Sequence, residues 1–480
     1  MEQTKSNNNF WLRMILHWVV YIGCFVSFAI ISFGTKQAGY EWLGLLPIAF
    51  ALSYSLVLAK SLKQELRIFN LVLTVMQFLR FVVMPMMLVY ANYYGGRSPV
   101  ALKPDSIEKA MLLMVYELAI LSLTIFILDQ RAKRKKPTPI QKPLTKRPQN
   151  GMYYLLFIVS IASLLAYPSV LHKIGFFMPG AGGSVENASL ITALTGFIFM
   201  VAKQIFFLIV LWFCHQKYTK KGQYFYVWLA AIAVFVNIGI FMGTNRADIV
   251  ITAVASVLIF RQLFPHFFKH LLLSVSLIIP AMLSVIAAFR KISSISDGGS
   301  KLIDYTDKLQ VYLAGPYNVA MALETKHLFP EAGNFSVFLY NIFRPMIGIG
   351  SFISDWPIKY SSLYFNERYF FSDHMTQIIP MVGQGNLFFG FIFAPILGVA
   401  VICFAYFLHA KKLQSEQIEI YYILTLACAR LGMMVGQNVT ILVNDLSFNL
   451  SLFLIVYWLN KKIILTRQSH QKFVANRGDI

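Results

Sequence analysis

Apolar residues run along this chain in long blocks separated by short polar stretches, and many blocks exceed the ~18 residues that cross a hydrocarbon core as helix. The pattern predicts twelve membrane-spanning helices, over 11–33, 39–59, 68–92, 108–129, 151–171, 191–214, 224–243, 246–264, 271–290, 384–409, 418–439 and 444–461. An even count puts both termini on one side, and the clustering of Lys and Arg in the segments of that side makes it the cytoplasm. The expected organisation is then four helices over 1–130, a basic cytoplasmic linker over 131–150, helices five to nine over 151–290, a large extracytoplasmic loop over 291–383, helices ten to twelve over 384–461, and a cytoplasmic tail over 462–480. The loop is too long for a plain connection, and it carries Asp297, Asp304, Asp307, Glu324, Glu331, Asp355, Glu367 and Asp373 of the chain's 21 acidic residues. Apolar residues in 302–328 and 336–353 recur at near-helical spacing, which predicts amphipathic helices lying on the outer membrane face.

Composition agrees with an all-α polytopic membrane protein. The 480 residues are 57% hydrophobic and 13% charged, with a mean hydropathy of +0.62, more apolar surface than a soluble fold buries. The net charge of +21 sits in short segments between apolar blocks, and the linker from Arg131 to Arg147 alone holds eight basic residues, so the charge reads as a topology signal rather than a nucleic-acid surface. No nucleic acid is expected as a partner. Cys24, Cys214, Cys403 and Cys428 lie in or beside apolar blocks without CxxC spacing and read as packing residues. The block from Trp11 to Phe33 is too long for a signal-peptide core and reads as a retained helix. No internal repeat is visible.

Three cationic positions fall at the outer ends of predicted spans. Arg246 follows the turn Gly243-Thr244-Asn245, Arg290 and Lys291 end the ninth span, and Arg344 stands in Asn341-Ile342-Phe343-Arg344-Pro345. Each is read either as an interfacial anchor or as part of an anion site. Guanidinium groups are planar, permanently charged and forked, which suits a lipid diphosphate and the charge it develops as a leaving group. His374, beside Asp373, is the candidate base or orienting group for an attacking hydroxyl; the alternative is a solvated loop histidine. No HExxH or paired-acid spacing appears, so neither a metal nor a cofactor is expected. Four ionisable residues fall within spans, Arg80, Glu117, Lys203 and Arg430. Arg80 and Glu117 lie near mid-depth on consecutive antiparallel helices, either as a structural ion pair or as a substrate contact.

These residues together resemble the Wzy-type O-antigen and capsular polysaccharide polymerases, relatives of the O-antigen ligases. The Gly243–Arg246 turn resembles the Gly-x-x-Arg turn that opens a helix in that superfamily. Tyr312-Leu313-Ala314-Gly315-Pro316-Tyr317 resembles its Tyr-Leu-x-x-Pro loop segment, and His374 with Gly385–Gly390 resembles its His-Asn segment and following Gly-x-x-Gly. Arg80, five residues before Pro85, matches an Arg and Pro pair in early helices of such polymerases. The chain departs from the pattern at Met375, where ligases carry Asn or Ser, and at Phe388, in place of the second glycine. The resemblance implies a metal-independent, inverting glycosyl transfer at the outer face of the bacterial cytoplasmic membrane. The growing glycan on undecaprenyl diphosphate would be the donor and a new lipid-linked repeat the acceptor. Arg246, Arg290, Arg344 and His374 would be catalytic, and Arg80, Lys291, Tyr312, Tyr317 and Asp373 would bind substrate. It further implies a GT-C-like arrangement, and a flippase and a chain-length regulator as partners. A lipid-linked oligosaccharide flippase and a ligase are the competing readings.

Overall fold

The computed structural model describes residues 2–64, 67–96, 101–134, 142–148, 151–178, 190–243, 246–289, 300–370 and 377–475, with side chains described except at 2–16, 63–64, 190, 246, 285–289, 368–370 and 464–475. Regular structure in these residues is helical, apart from one antiparallel ladder that pairs Ile174–Phe176 with Ile240–Met242. The chain divides into two compact units. The first comprises residues 1–138, 294–407 and 430–444, and the second 139–293, 408–429 and 445–480.

Six helices among the described residues are long and apolar enough to cross a membrane: Glu41–Leu62, Ile68–Tyr90, Pro104–Arg134, Ile191–Lys221, Ile396–Leu413 and Val439–Ile463. They are consistent with a multi-pass membrane protein. They also overturn the expected count of about twelve, and with it the GT-C-like arrangement. Of the other apolar helices, Gly151–Ala166, Phe225–Gly239 and Met381–Phe393 are shorter, while Glu2–Phe33 and Phe268–Phe289 have side chains described only over His17–Phe33 and Phe268–Ser284. In three of the expected blocks the backbone leaves the helix inside the apolar run. The 384–409 block is interrupted at Gly390, whose φ of 79° is open to a residue without Cβ, and the chain resumes as Ile396–Leu413. The 224–243 block stops being helical at Gly239 and continues as the strand Ile240–Met242. The 418–439 block ends its helix at Gly432, ahead of a tighter turn at Met434–Gly436. Arg246–Leu263 has the length, 18 residues, but carries Arg246, Asp248 and Arg261.

In the first unit, the part of the expected membrane-face segment from Pro316 to Thr325 is instead part of the core. Ser300 caps the helix Lys301–Tyr312 by accepting from Leu302 N at 3.2 Å, and Gly315-Pro316 starts the next helix, Pro316–Leu328, at the position where proline is tolerated. Every residue from Pro316 to Thr325 is buried, so the helix is enclosed on all sides over this stretch, with His327 and Leu328 exposed at its end. It packs on Pro104–Arg134, on Met381–Phe393 and on Ser361–Phe370. Tyr317, Met321, Ala322, Ala332, Phe365, Ile379 and Leu387 form one buried cluster around it. At another point of this unit Arg67 pairs with Asp129, and Tyr406 donates to the same carboxylate oxygen at 2.9 Å. Both ions are buried, where a charge is tolerated only with such partners.

The second unit packs Leu190–Lys221 between Gly151–Ala166 and Phe225–Gly239, and Arg246–Leu263 lies against the latter. Asn237 Nδ2 donates to Ser256 Oγ at 2.9 Å and to Tyr422 Oη at 3.0 Å, joining three helices in the interior. The described part of the basic linker, 142–148, is docked as a strap. Thr145 N and Lys146 N both donate to the Glu416 carbonyl at 3.2 Å, and Lys142 and Lys146 hold the Glu416 carboxylate at 3.4 and 2.9 Å.

Candidate functional site

Arg80 stands in a widened turn, Leu79–Val83, between the helices Ile68–Phe78 and Met84–Tyr90. Pro85 follows, lacking the N–H that a regular α-turn would place on residue 81, and a widened turn of this kind accommodates the gap. The Arg80 side chain is fully buried. Its Nη1 donates to Glu117 Oε2 at 2.7 Å, and its Nε donates to the Ala314 carbonyl at 2.9 Å. The first contact is the ion pair that the mid-depth positions of the two residues suggest. The second joins Arg80 to the Tyr312–Tyr317 segment, 234 residues away in sequence. Ala314 adopts a φ of 54°, uncommon for a residue with a Cβ, so the guanidinium holds a carbonyl in a sparsely populated conformation. On one side of this segment the Tyr312 carbonyl lies against Gly436, where an added Cβ would approach it to 2.1 Å. On the other, the Tyr317 ring fills the space beside Gly96. Arg80, Tyr312 and Tyr317 thus meet around one turn. Arg80 uses its charge on Glu117 there, which makes it a holder of backbone rather than a free cation.

Arg344 ends the helix Phe335–Phe343 and is half-buried, a position where a cation also meets the helix's negative end. It lies close to Tyr360. Burial pushes the Tyr360 hydroxyl up to about 12, against the lowering effect of the Arg344 charge, and the Tyr340 ring packs on Tyr360 with centroids 5.0 Å apart. Beneath this pair runs a buried polar network that the sequence reading missed. Asn341 Oδ1 accepts from Ser361 Oγ at 2.9 Å, Thr440 Oγ1 at 2.8 Å and Gln384 Nε2 at 3.3 Å, while Asn341 Nδ2 donates to the Val337 carbonyl at 2.6 Å. Gln384 Nε2 also donates to Ser361 Oγ at 3.0 Å, and its Oε1 accepts from Val439 N at 2.9 Å. With these groups matched, the network fixes four helices and the turn that presents Arg344. The sequence signal for it was Asn341 and Gln384 standing in otherwise apolar runs.

Asp373 and His374 lie outside the described residues, as do Arg290 and Lys291. Of Arg246 only the backbone is described, opening the helix Arg246–Leu263 after Gly243, whose φ is 69°. Near the unseen Asp373 and His374, Asn366 Nδ2 donates to the Gln377 carbonyl at 3.0 Å and Asn366 Oδ1 accepts from Gln377 N at 3.1 Å, so the residues flanking 371–376 are pinned to each other. Lys326 donates to the Asn386 carbonyl at 2.7 Å, and partial burial lowers its ammonium. Among the described residues no group of three or more His, Cys, Asp or Glu side chains is placed to hold a metal ion. No family model, no curated protein and no solved structure matches the chain.

Proposed function

We propose that this protein is a membrane glycan transferase that joins lipid-linked oligosaccharides, a polymerase whose donor is a growing glycan on undecaprenyl diphosphate. One observation carries the reading: the 300–370 segment is clamped to its unit by a buried guanidinium on the Ala314 carbonyl and by the Asn341 network. A transporter has to let its helices move past each other around a substrate, whereas transfer chemistry calls for groups held still before the reaction. In the proposed reaction an acceptor hydroxyl attacks the anomeric carbon of the donor glycan. The bond from that carbon to the diphosphate oxygen breaks, the electron pair leaves on the diphosphate, and the hydroxyl proton passes to a base. Arg344 is the described cation offered to the diphosphate, with Arg246 and Arg290 as further candidates and His374 as the base. Polymerisation would proceed at the outer face of a bacterial cytoplasmic membrane, with a flippase and a chain-length regulator as partners.

The test uses the purified full chain with lipid-linked repeats, in EDTA and without nucleotide sugar or ATP. The expected product is a ladder of lipid-linked glycans spaced by one repeat. A requirement for nucleotide sugar would overturn the reaction class. Loss of activity in EDTA that Mg²⁺ restores would overturn stabilisation by guanidinium groups alone. Transfer only to an acceptor other than a repeat would replace the polymerase with a ligase.

A further inference from the structure

Two consecutive elements of the first unit turn their apolar side chains outward. The helix Phe335–Phe343 has no charged residue, and it buries Val337, Tyr340 and Asn341. Asn341 is 1% exposed, its amide drawn inward by Ser361, Gln384 and Thr440. At helical spacing the opposite side falls to Phe335, Phe338, Leu339 and Ile342, and Phe335 is 68% exposed. A surface helix in water is arranged the other way round, with its polar side out. An amide inside and an apolar side outside is the arrangement of a helix whose surroundings are lipid.

After Arg344 and Pro345 the chain turns through Ile349–Phe352, and the residues of 349–356 divide three ways. Gly350 and Ile353 are buried, with Gly350 packed too closely on the Arg344 carbonyl to admit a Cβ. Ile349, Phe352 and Trp356 recur at i, i+3 and i+7 and are 44%, 87% and 50% exposed. Ser351, Ser354 and Asp355 are also exposed and occupy the positions between them, where Ser354 Oγ donates to the Ser351 carbonyl at 3.0 Å. An element with one inward, one apolar and one polar side fits an interface between hydrocarbon and water, and tryptophan favours that level.

The polar network sets the depth of both elements. Thr440 Oγ1 donates to Asn341 and Val439 N to Gln384, and these two residues open the apolar helix Val439–Ile463, so Phe335–Phe343 is fastened to the first turn of a helix long enough to span. Phe338 packs on Phe388 and on Phe389, each with centroids 5.2 Å apart. From there the apolar surface continues through the exposed Phe391, Ile392 and Phe393 to Ile396–Leu413, a second helix of spanning length. We propose that Phe335–Phe343 and the turn at 349–356 are immersed in the lipid leaflet at this end of the spans, as a lip that carries Arg344 at the level of the lipid headgroups.

Fluorescence quenching on the full chain in phosphatidylcholine vesicles tests the lip. With the four native cysteines replaced, an environment-sensitive probe is attached to Phe335→Cys, Phe352→Cys, Arg344→Cys or Ser354→Cys. Nitroxides near the headgroup end of the acyl chains should remove most of the emission at 335 and 352, and more than nitroxides at the chain ends, because an interfacial element sits about 5–10 Å into the leaflet. Aqueous iodide should leave those two probes almost untouched and quench the probe at 354 strongly. The probe at 344 should be reached by both quenchers, and quenching there by iodide alone would overturn the placing of Arg344. Iodide quenching at 335 and 352 equal to that at 354 would put the apolar side in water and overturn the lip. Protection of both from either quencher would mean that a second copy of the chain covers them, and would overturn it as well. Positions 335 and 352 lie on separate elements, so if one variant fails to fold the other decides. The quenching reads depth, so it stands or falls separately from glycan transfer.

Discussion

Replacing Glu117 by leucine removes the carboxylate that Arg80 Nη1 reaches at 2.7 Å and leaves a fully buried guanidinium with the Ala314 carbonyl as its remaining described acceptor. An uncompensated buried charge costs about 3–5 kcal/mol, so Glu117→Leu should lower the unfolding temperature in detergent markedly. The double variant Arg80→Met/Glu117→Leu should be less destabilised than either single one, and additive losses would contradict the pairing. Arg344 calls for a different experiment, because its charge is half-open beside Tyr360. Arg344→Lys keeps the charge and loses the fork, so product formation should fall by about tenfold or more with the folded protein unchanged, and Arg344→Ala should be at least as damaging. Wild-type activity in Arg344→Ala would remove it from the site. The Arg80–Glu117 contact was legible in the sequence because ionisable residues at similar depth on consecutive helices have few other partners. The Asn341 network was not, since its partners stand 20, 43 and 99 residues away and an uncharged amide in an apolar run names no partner.

At the scale of elements, hydropathy located the apolar helices but miscounted those that span a membrane, since a run of apolar residues records composition and is silent on where the backbone turns. Gly390 and the Gly239-to-strand transition are local decisions of this kind. The enclosed helix Pro316–Leu328 was hidden for a related reason: its near-helical spacing was visible, but the neighbours that cover its polar-looking side come from elsewhere in the chain. The strap at 142–148 gives a pH-dependent consequence. Hydrogen bonds and charge from Lys146 and then Lys142 hold the Glu416 carboxyl below the usual carboxylate range. A carboxyl depressed in the folded state contributes stability above its unfolded value and loses it as pH falls through the folded one. Acidification below about pH 4 should therefore loosen the strap, and high salt should weaken the same exposed pairs. Hydrogen exchange at the Thr145 and Lys146 amides, which bond the Glu416 carbonyl, is the measurement. Exchange rates that follow only the intrinsic pH dependence of amides would show that the backbone bonds hold the strap without the ions.

For the whole molecule, the orientation implied by the basic segments predicts which faces an impermeant thiol reagent reaches. With the four native cysteines replaced, Ser354→Cys, at an exposed position, should label in intact cells, and Thr145→Cys, also exposed, only after lysis. The reverse pattern would invert the protein in the membrane and move the proposed chemistry to the cytoplasm. Ser361, within the same loop, is buried in the Asn341 network and would be a poor probe. The first unit also has an order of assembly written into it. The helix Pro316–Leu328 covers part of Pro104–Arg134, yet about 180 residues separate the end of one from the start of the other. At a synthesis rate of about 5–20 residues per second, the earlier helix waits roughly 10–40 s in the membrane with that face bare. Lipid or a helper protein has to shield it during the interval, and nascent chains stalled before Pro316 should be selectively exposed to membrane quality-control proteases.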